Sequence, residues 1–206
     1  MYKYPIIVFE GIEGSGKSYH IKNIQKYLDK NRIKYIKVRE PGGSKNSEKI
    51  RKLILNKDSK FKNLTDLFLY MASRNENFQS IINKNHKRKI ILIDRFIDST
   101  LAYQHYGMGI DKNLIIKLNK FILKNTKPSF TFLNTVSMKN LKNRINKRPK
   151  NRYDKFNHKF YNKVQKGYLK LSKNKKNYMI VNSNKDISEN KKKIINKINF
   201  LLSIWV

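Results

Sequence analysis

The sequence predicts an α/β fold, a five-stranded parallel sheet flanked by helices, and three observations carry that expectation. Short β-rich apolar runs alternate with longer helix-like segments, the first run leads directly into a glycine-rich turn and a helix, and the third run ends in a carboxylate. A length of 206 residues suits a single domain over 1–206 with a small mobile flap.

The elements follow in order. Ile6 to Phe9 reads as the first strand, Gly11 to Ser18 as the turn, and the helix after it runs to about Asn31. Tyr35 to Val38 is the second strand and stops at the breaker cluster Pro41, Gly42, Gly43. Helices are expected from about Ser47 to Asn56 and from about Leu64 to Asn83. Ile90 to Ile93 is the third strand. Helices near Ser99 to Gln104 and Lys112 to Lys124 precede the fourth strand, Phe130 to Leu133, and Tyr178 to Val181 is the fifth. From Ser188 to Leu202, the residues Ile194, Ile195, Ile198, Leu201 and Leu202 recur at helical spacing, so a packed final helix is expected. No internal repeat or shift of composition marks a boundary.

Lys and Arg number 47 against 14 Asp and Glu, a net charge of +33. Such an excess invites a nucleic-acid reading, because clustered cations release counterions from phosphate backbones. Here Lys is spread along the chain together with Asn, Ile, Phe and Tyr, the bias an AT-rich genome imposes whatever the function. The expectation is loose attraction to polyanions and no specific nucleic-acid partner. The absence of Cys rules out disulfides and thiolate metal sites and suits a reducing cytosol. Met1 to Phe9 is unlike a signal peptide and no apolar stretch is long enough to span a bilayer, so a soluble cytoplasmic protein without a membrane partner is expected.

Gly11, Ile12, Glu13, Gly14, Ser15, Gly16, Lys17 and Ser18 match GxxxxGK[ST], and they lie between an expected strand and an expected helix, as a P-loop requires. The glycines let backbone N–H groups point inward around phosphates, and the helix start adds partial positive charge. Lys17 is the candidate for the β- and γ-phosphates of ATP, and the Ser18 hydroxyl for Mg²⁺. Asp94, at the end of the strand Ile90 to Ile93, is placed to help hold Mg²⁺ beside the P-loop. The cradle fixes the donor phosphates and leaves the acceptor open.

Further motifs narrow the acceptor. Glu10 with the P-loop, then Arg39-Glu40-Pro41-Gly42-Gly43, Ala72-Ser73-Arg74, Asp94-Arg95 with Ser99-Thr100, Ala102-Tyr103-Gln104, and Arg148 with Arg152, stand in an order and spacing that resemble bacterial thymidylate kinases over about residues 5 to 182. The resemblance implies a P-loop NTPase core with a lid at about 147–156, transfer of a phosphoryl group from ATP to dTMP, and a homodimer. It also implies site roles: Glu13 near the acceptor sugar, Arg39 and Arg95 on the acceptor phosphate, and Tyr70 stacked on the base. Arg74 and Thr100 would bond the base edge, Tyr103 would crowd the 2′ position, and Gln104 would complete the pocket. That family takes its catalytic arginine from the P-loop or the lid. Gly14, Ser15 and Gly16 include no Arg, so the resemblance places it in the lid, with Arg152 the first candidate and Arg148 assisting. The acceptor is already a phosphate dianion, so no general base is needed.

Tyr19, Asn134 and Asn151 stand where the family pattern usually has a small hydroxyl, an Asp and an acidic residue, and the loop after Val181, with Ser183, is the candidate for adenine. Two other readings compete: another P-loop nucleotide or deoxynucleoside kinase, the latter needing a carboxylate base for a neutral 5′-hydroxyl, and a nucleic-acid-binding ATPase suggested by charge alone.

Overall fold

The computed structural model describes residues 4–145 and 151–205. The sheet strands are β1 (Ile6–Glu10), β2 (Tyr35–Arg39), β3 (Ile90–Asp94), β4 (Phe130–Thr135) and β5 (Tyr178–Asn182), all parallel and ordered β2-β3-β1-β4-β5. Each expected strand is present, one or two residues longer at its C-terminal end. The helices are α1 (Lys17–Lys30), α2 (Lys45–Leu55), α3 (Asn63–Asn77), α4 (Asn83–Asn85), α5 (Ile97–Thr100), α6 (Lys112–Leu123), α7 (Met138–Ile145), α8 (His158–Ser172) and α9 (Ile187–Trp205). A wider π-helical turn at Phe78–Ile82 joins α3 to α4, and another at Leu101–Gly107 extends α5.

Strand alternation sorts the core into two layers. Ile7 and Phe9 of β1 face Ile21, Ile24 and Leu28 of α1 and Ile194 and Ile198 of α9. Ile6 and Val8 face the other way, with Phe78, Ile82 and Leu123. Burial on both sides explains why β1 and β3 read as continuous apolar runs rather than alternating ones.

Helices α7 and α8 have no counterpart among the expected elements. In α8, Asn157 caps the first turn by accepting from Phe160 N at 3.0 Å, and Tyr161, Val164 and Tyr168 form its buried stripe. Lysines at 159, 163, 166 and 170 interrupt that stripe in sequence and obscure its period. Residues 146–150, which include Arg148 and much of the expected lid, lie outside the described residues. The part that follows is a tight turn at Arg152–Lys155. Asn151 caps it, accepting from Tyr153 N at 2.8 Å while its own N–H donates to Asp154 at 2.7 Å. An Asn serves that cap as well as an Asp does, which accounts for the residue at 151.

Candidate active site

A cleft of about 700 Å³ opens at the C-terminal ends of β1, β2 and β3, where open parallel sheets bind ligands. The P-loop forms its floor. Gly11 has φ +135°, and a Cβ there would sit 2.2 Å from the Asn134 carbonyl oxygen, so only glycine lets the loop pass so close to β4. Asn134 thus braces the loop through its backbone. Its buried side-chain amide has no hydrogen-bond partner among the described residues. Ser183 Oγ donates to Ser15 O at 2.6 Å, so this hydroxyl of the expected adenine loop is tied to the P-loop instead.

Lys17 begins α1 and bends back, its Nζ donating to the carbonyls of Gly11 and Ile12, each at 3.0 Å. Burial and the neighbouring Arg95 push its ammonium down to about 8. Ser18 Oγ stands 3.4 Å from Asp94 Oδ2, which puts a hydroxyl and a carboxylate oxygen side by side at the cradle's mouth. That pair of hard oxygen donors suits Mg²⁺, which takes few protein ligands and completes its octahedron with water and phosphate oxygens.

Across the cleft lie the acceptor-side candidates. Arg95 follows β3 in a left-handed conformation, φ +67°. Its NH1 donates to Gly11 O at 2.8 Å and Tyr168 Oη at 3.2 Å, and its NH2 donates to Glu13 Oε1 at 2.8 Å. Burial would raise the Glu13 carboxyl, yet Arg95 and Lys17 hold it below the usual range. Tyr103 donates to the other Glu13 oxygen, and its ring lies beneath the Arg95 guanidinium. Arg39 is half exposed and makes a two-pronged pair with Glu48 at 3.1 and 2.9 Å.

Tyr70, Thr100 and Gln104 line the same cleft. Thr100 Oγ1 and Gln104 Nε2 are buried with no hydrogen-bond partner among the described residues, so two polar groups are ready for a ligand. Arg74 borders the cleft but is turned into the core. It is 1 % exposed and donates to Glu40 Oε2 at 2.7 Å, Asn119 Oδ1 at 2.5 Å and the Phe96 carbonyl at 2.8 Å.

Arg152 is not brought to the P-loop. Its guanidinium pairs with Asp66 of α3, between the rings of Phe61 and Tyr153, and Tyr153 Oη donates to the same carboxylate at 2.6 Å. Arg144, near the end of α7, stands at the cradle instead, donating to Gly14 O at 2.9 Å and Ser183 O at 3.0 Å. Arg144, Tyr168 and Arg51, the last lining the cleft with its NH1 donating to Pro41 O at 2.5 Å, are contributors that the sequence did not single out. Arg144 carried a usable signal, a cation just before the basic segment. Tyr168 carried none, since its place beside Arg95 depends on where α8 packs.

A phosphate cradle at the head of a parallel sheet, faced by arginines and a half-apolar pocket, defines the class of P-loop nucleotide kinases. The thymidylate kinase family model matches residues 9–194. A thymidylate kinase of Sulfurihydrogenibium sp. is 38 % identical over 93 % of this chain and 95 % of its own length, and one of Clostridium novyi is 42 % identical over 83 % and 86 %. The crystal structure of thymidylate kinase from Ehrlichia chaffeensis superposes with a TM-score of 0.77 at 31 % identity, covering 95 % of this chain and 98 % of that one. The chain belongs to the thymidylate kinase family and is a nucleoside monophosphate kinase.

Proposed function

We propose that this cleft binds ATP with Mg²⁺ beside dTMP and transfers the γ-phosphoryl group to the dTMP phosphate, giving ADP and dTDP. The observation that carries the reading is one cleft holding the P-loop, Arg39 and Arg95, and the unpartnered Thr100 and Gln104 beside Tyr70. On this reading the P-loop amides and Lys17 hold the β- and γ-phosphates, and Ser18 and Asp94 would hold the metal. Bound Mg²⁺ supplies neutralising charge at the β- and γ-oxygens. Arg95 and Arg39 exchange Glu13 and Glu48 for the acceptor phosphate, which brings two anions into line. Tyr70 offers an aromatic face to the base. Thr100 and Gln104 offer hydrogen bonds to its edge, while Arg74, committed to Glu40, Asn119 and the Phe96 carbonyl, braces the wall of the pocket. Tyr103, held by Glu13, limits room beside the sugar.

Three arginines compete for the lid role. Arg152 reaches a phosphate only by leaving Asp66, whereas Arg144 already stands at Gly14, and Arg148 lies outside the described residues. The wider reading is a single domain with its lid at about 147–156, working as a cytoplasmic homodimer. Exposed Leu64 and Phe68 on α3 and Phe121 on α6 support the dimer, because these two helices pack together and expose apolar side chains to solvent. Among the described residues no helix is long and apolar enough to cross a membrane.

The test is a coupled ADP-release assay with ATP and Mg²⁺, offering dTMP, dUMP, dCMP, dGMP, AMP, UMP and thymidine separately. The expected result is turnover with dTMP far above the rest. Preference for another acceptor overturns the pocket assignment and keeps the cradle.

A further inference from the structure

Glu10 is the last residue of β1 and 1 % exposed, and the mechanism above gives it no task. A carboxylate so deeply buried is expensive unless fully bonded. Four donors converge on it. Phe96 N and Ser99 N donate to Oε1 at 2.8 and 3.1 Å, while Ser99 Oγ and Tyr168 Oη reach Oε2 at 2.6 and 3.2 Å. The two hydroxyls also touch each other at 2.7 Å, and both accept from Arg95 NH1, at 3.4 and 3.2 Å.

The direction of these bonds follows from the charges. Arg95 can only donate, and an ionised Glu10 can only accept. The Ser99 proton therefore turns toward Glu10 at 2.6 Å, the Tyr168 proton lies between the Ser99 and Glu10 oxygens at 2.7 and 3.2 Å, and both hydroxyls keep lone pairs toward Arg95. The same carboxylate bonds the backbone N–H groups of Phe96 and Ser99, just after the left-handed residue 95. Arg95 consequently has two unlike edges. NH1 is pinned by a backbone carbonyl and the hydroxyl pair, and NH2 rests on Glu13 and Tyr103, groups that line the cleft.

We propose that Glu10 is a positioning residue for Arg95: acting through Ser99 and Tyr168, it fixes the NH1 edge so that the NH2 edge is the face exchanged between Glu13 and an incoming phosphate. This rests on the reading of Arg95 as a ligand of the acceptor phosphate. Burial, and after it the Asp98 carboxylate, raise the Glu10 carboxyl to about 7, with the Ser99 and Phe96 donors and Arg95 opposing. The groups facing it are Arg95, Ser99 and Asp98 in the segment after β3, Tyr168 of α8, Lys17 of α1 and Tyr178 of β5, the last bonded to Asp98. Protonation of Glu10 removes an acceptor from the hydroxyl pair, loosens Arg95 and lowers acceptor affinity.

The experiment compares full-length wild type, Glu10→Gln, Tyr168→Phe and the double variant in kcat, in KM for ATP and for the monophosphate acceptor, and in Tm, between pH 6 and 8.5. Glu10→Gln is expected to raise the acceptor KM ten- to hundredfold and leave the ATP KM within twofold. The double variant is expected to be no worse than Glu10→Gln alone, because both break one relay. The ratio of wild-type to Glu10→Gln kcat/KM for the acceptor should fall toward one as the pH drops through about 7. The acceptor's own second ionisation near pH 6 acts on both proteins and cancels in that ratio. A lowered Tm with unchanged acceptor KM and a flat ratio overturns the proposal, as does an equal rise in both KM values. Should Glu10→Gln fail to fold, Ser99→Ala with Tyr168→Phe breaks the relay around an intact carboxylate and must show the same KM split, or the proposal falls. Wild type preferring an acceptor other than dTMP defeats the substrate assignment separately, since the Glu10 comparison is then run with that acceptor.

Discussion

Replacing Arg74 by Met separates two roles for that side chain, a core brace and a contact to the base. The guanidinium is 1 % exposed and its partner Glu40 is buried to nearly the same degree. Methionine approximates the length of the arginine stem but removes the charge and all three donated hydrogen bonds. Glu40 Oε2 then loses the donor at 2.7 Å, beside an Oε1 already without a partner among the described residues. Breaking a buried ion pair from one side costs about 3–5 kcal/mol. At ~2–4 °C per kcal/mol for a chain of this size, Tm should fall by roughly 6–20 °C. Burial already raises the Glu40 carboxyl and Arg74 opposes the rise, so the variant's Glu40 titrates still higher. A carboxyl whose folded pKa exceeds its unfolded one adds stability that is present at low pH and lost as pH rises through the folded value. The deficit of Arg74→Met should therefore shrink between pH 7 and pH 5, and adding Glu40→Gln should restore part of the Tm at pH 7. Differential scanning fluorimetry across pH, with titration calorimetry of dTMP, reads both effects. A Tm within 2 °C of wild type alongside a large loss of dTMP affinity would refute the argument and make Arg74 a ligand group.

Three other outcomes are expected. Lys17, lowered to about 8 by burial and the neighbouring Arg95, should take up close to one proton when ATP binds at pH 9 and very little at pH 7, as measured by calorimetry in buffers of different ionisation enthalpy; equal uptake at both pH values would remove Lys17 from the phosphates. Glu48→Gln should release Arg39 and lower the dTMP KM by about 1.4- to fivefold, in keeping with about 0.2–1 kcal/mol for an exposed pair, and an unchanged KM would leave Arg39 a surface residue. Gly167→Ala places a Cβ 2.6 Å from the Tyr106 ring where α8 crosses the π-helical turn, so overpacking of about 1–3 kcal/mol should lower Tm with the ATP KM unchanged.

The strands and the cradle were legible because each is local. β1 and β3 are buried on both faces, so apolar runs mark them, and the P-loop needs its residue types at fixed spacing. What the sequence left open depends on partners distant in the chain. Arg74 reads as a site residue from its motif, yet its three acceptors, Glu40, Phe96 and Asn119, come from three other segments. Arg152 reads as a phosphate ligand from its place in a basic segment. Its pairing with Asp66, 86 residues earlier, becomes visible only once the turn at 152–155 rests beside α3. Tyr168 was silent, and Glu10 stood in the family motif without a role, for the same reason: α8 and the end of β1 meet only in the folded chain, and their chemistry lies in that meeting.

Among the described residues, the principal cations around the site are each bonded to a group of the chain itself. Lys17 holds carbonyls of its own loop, Arg95 holds Glu13, Arg39 holds Glu48, Arg144 holds Gly14 O and Arg152 holds Asp66. In a chain of net charge +33 this arrangement limits repulsion among cations that must converge. It also changes what selects the ligand. Under the proposed function, a phosphate arriving at Arg95 would replace the Glu13 carboxylate, so the gain would be the difference between two charge-assisted bonds and not the whole of one. A dianion outbids a monoanion there, while free phosphate, lacking a base, forgoes Tyr70, Thr100 and Gln104. Under the proposed function, the Glu13 oxygen released from Arg95 would accept from a hydroxyl on the incoming sugar, so one exchange would seat the phosphate and ready the carboxylate for the rest of the nucleotide.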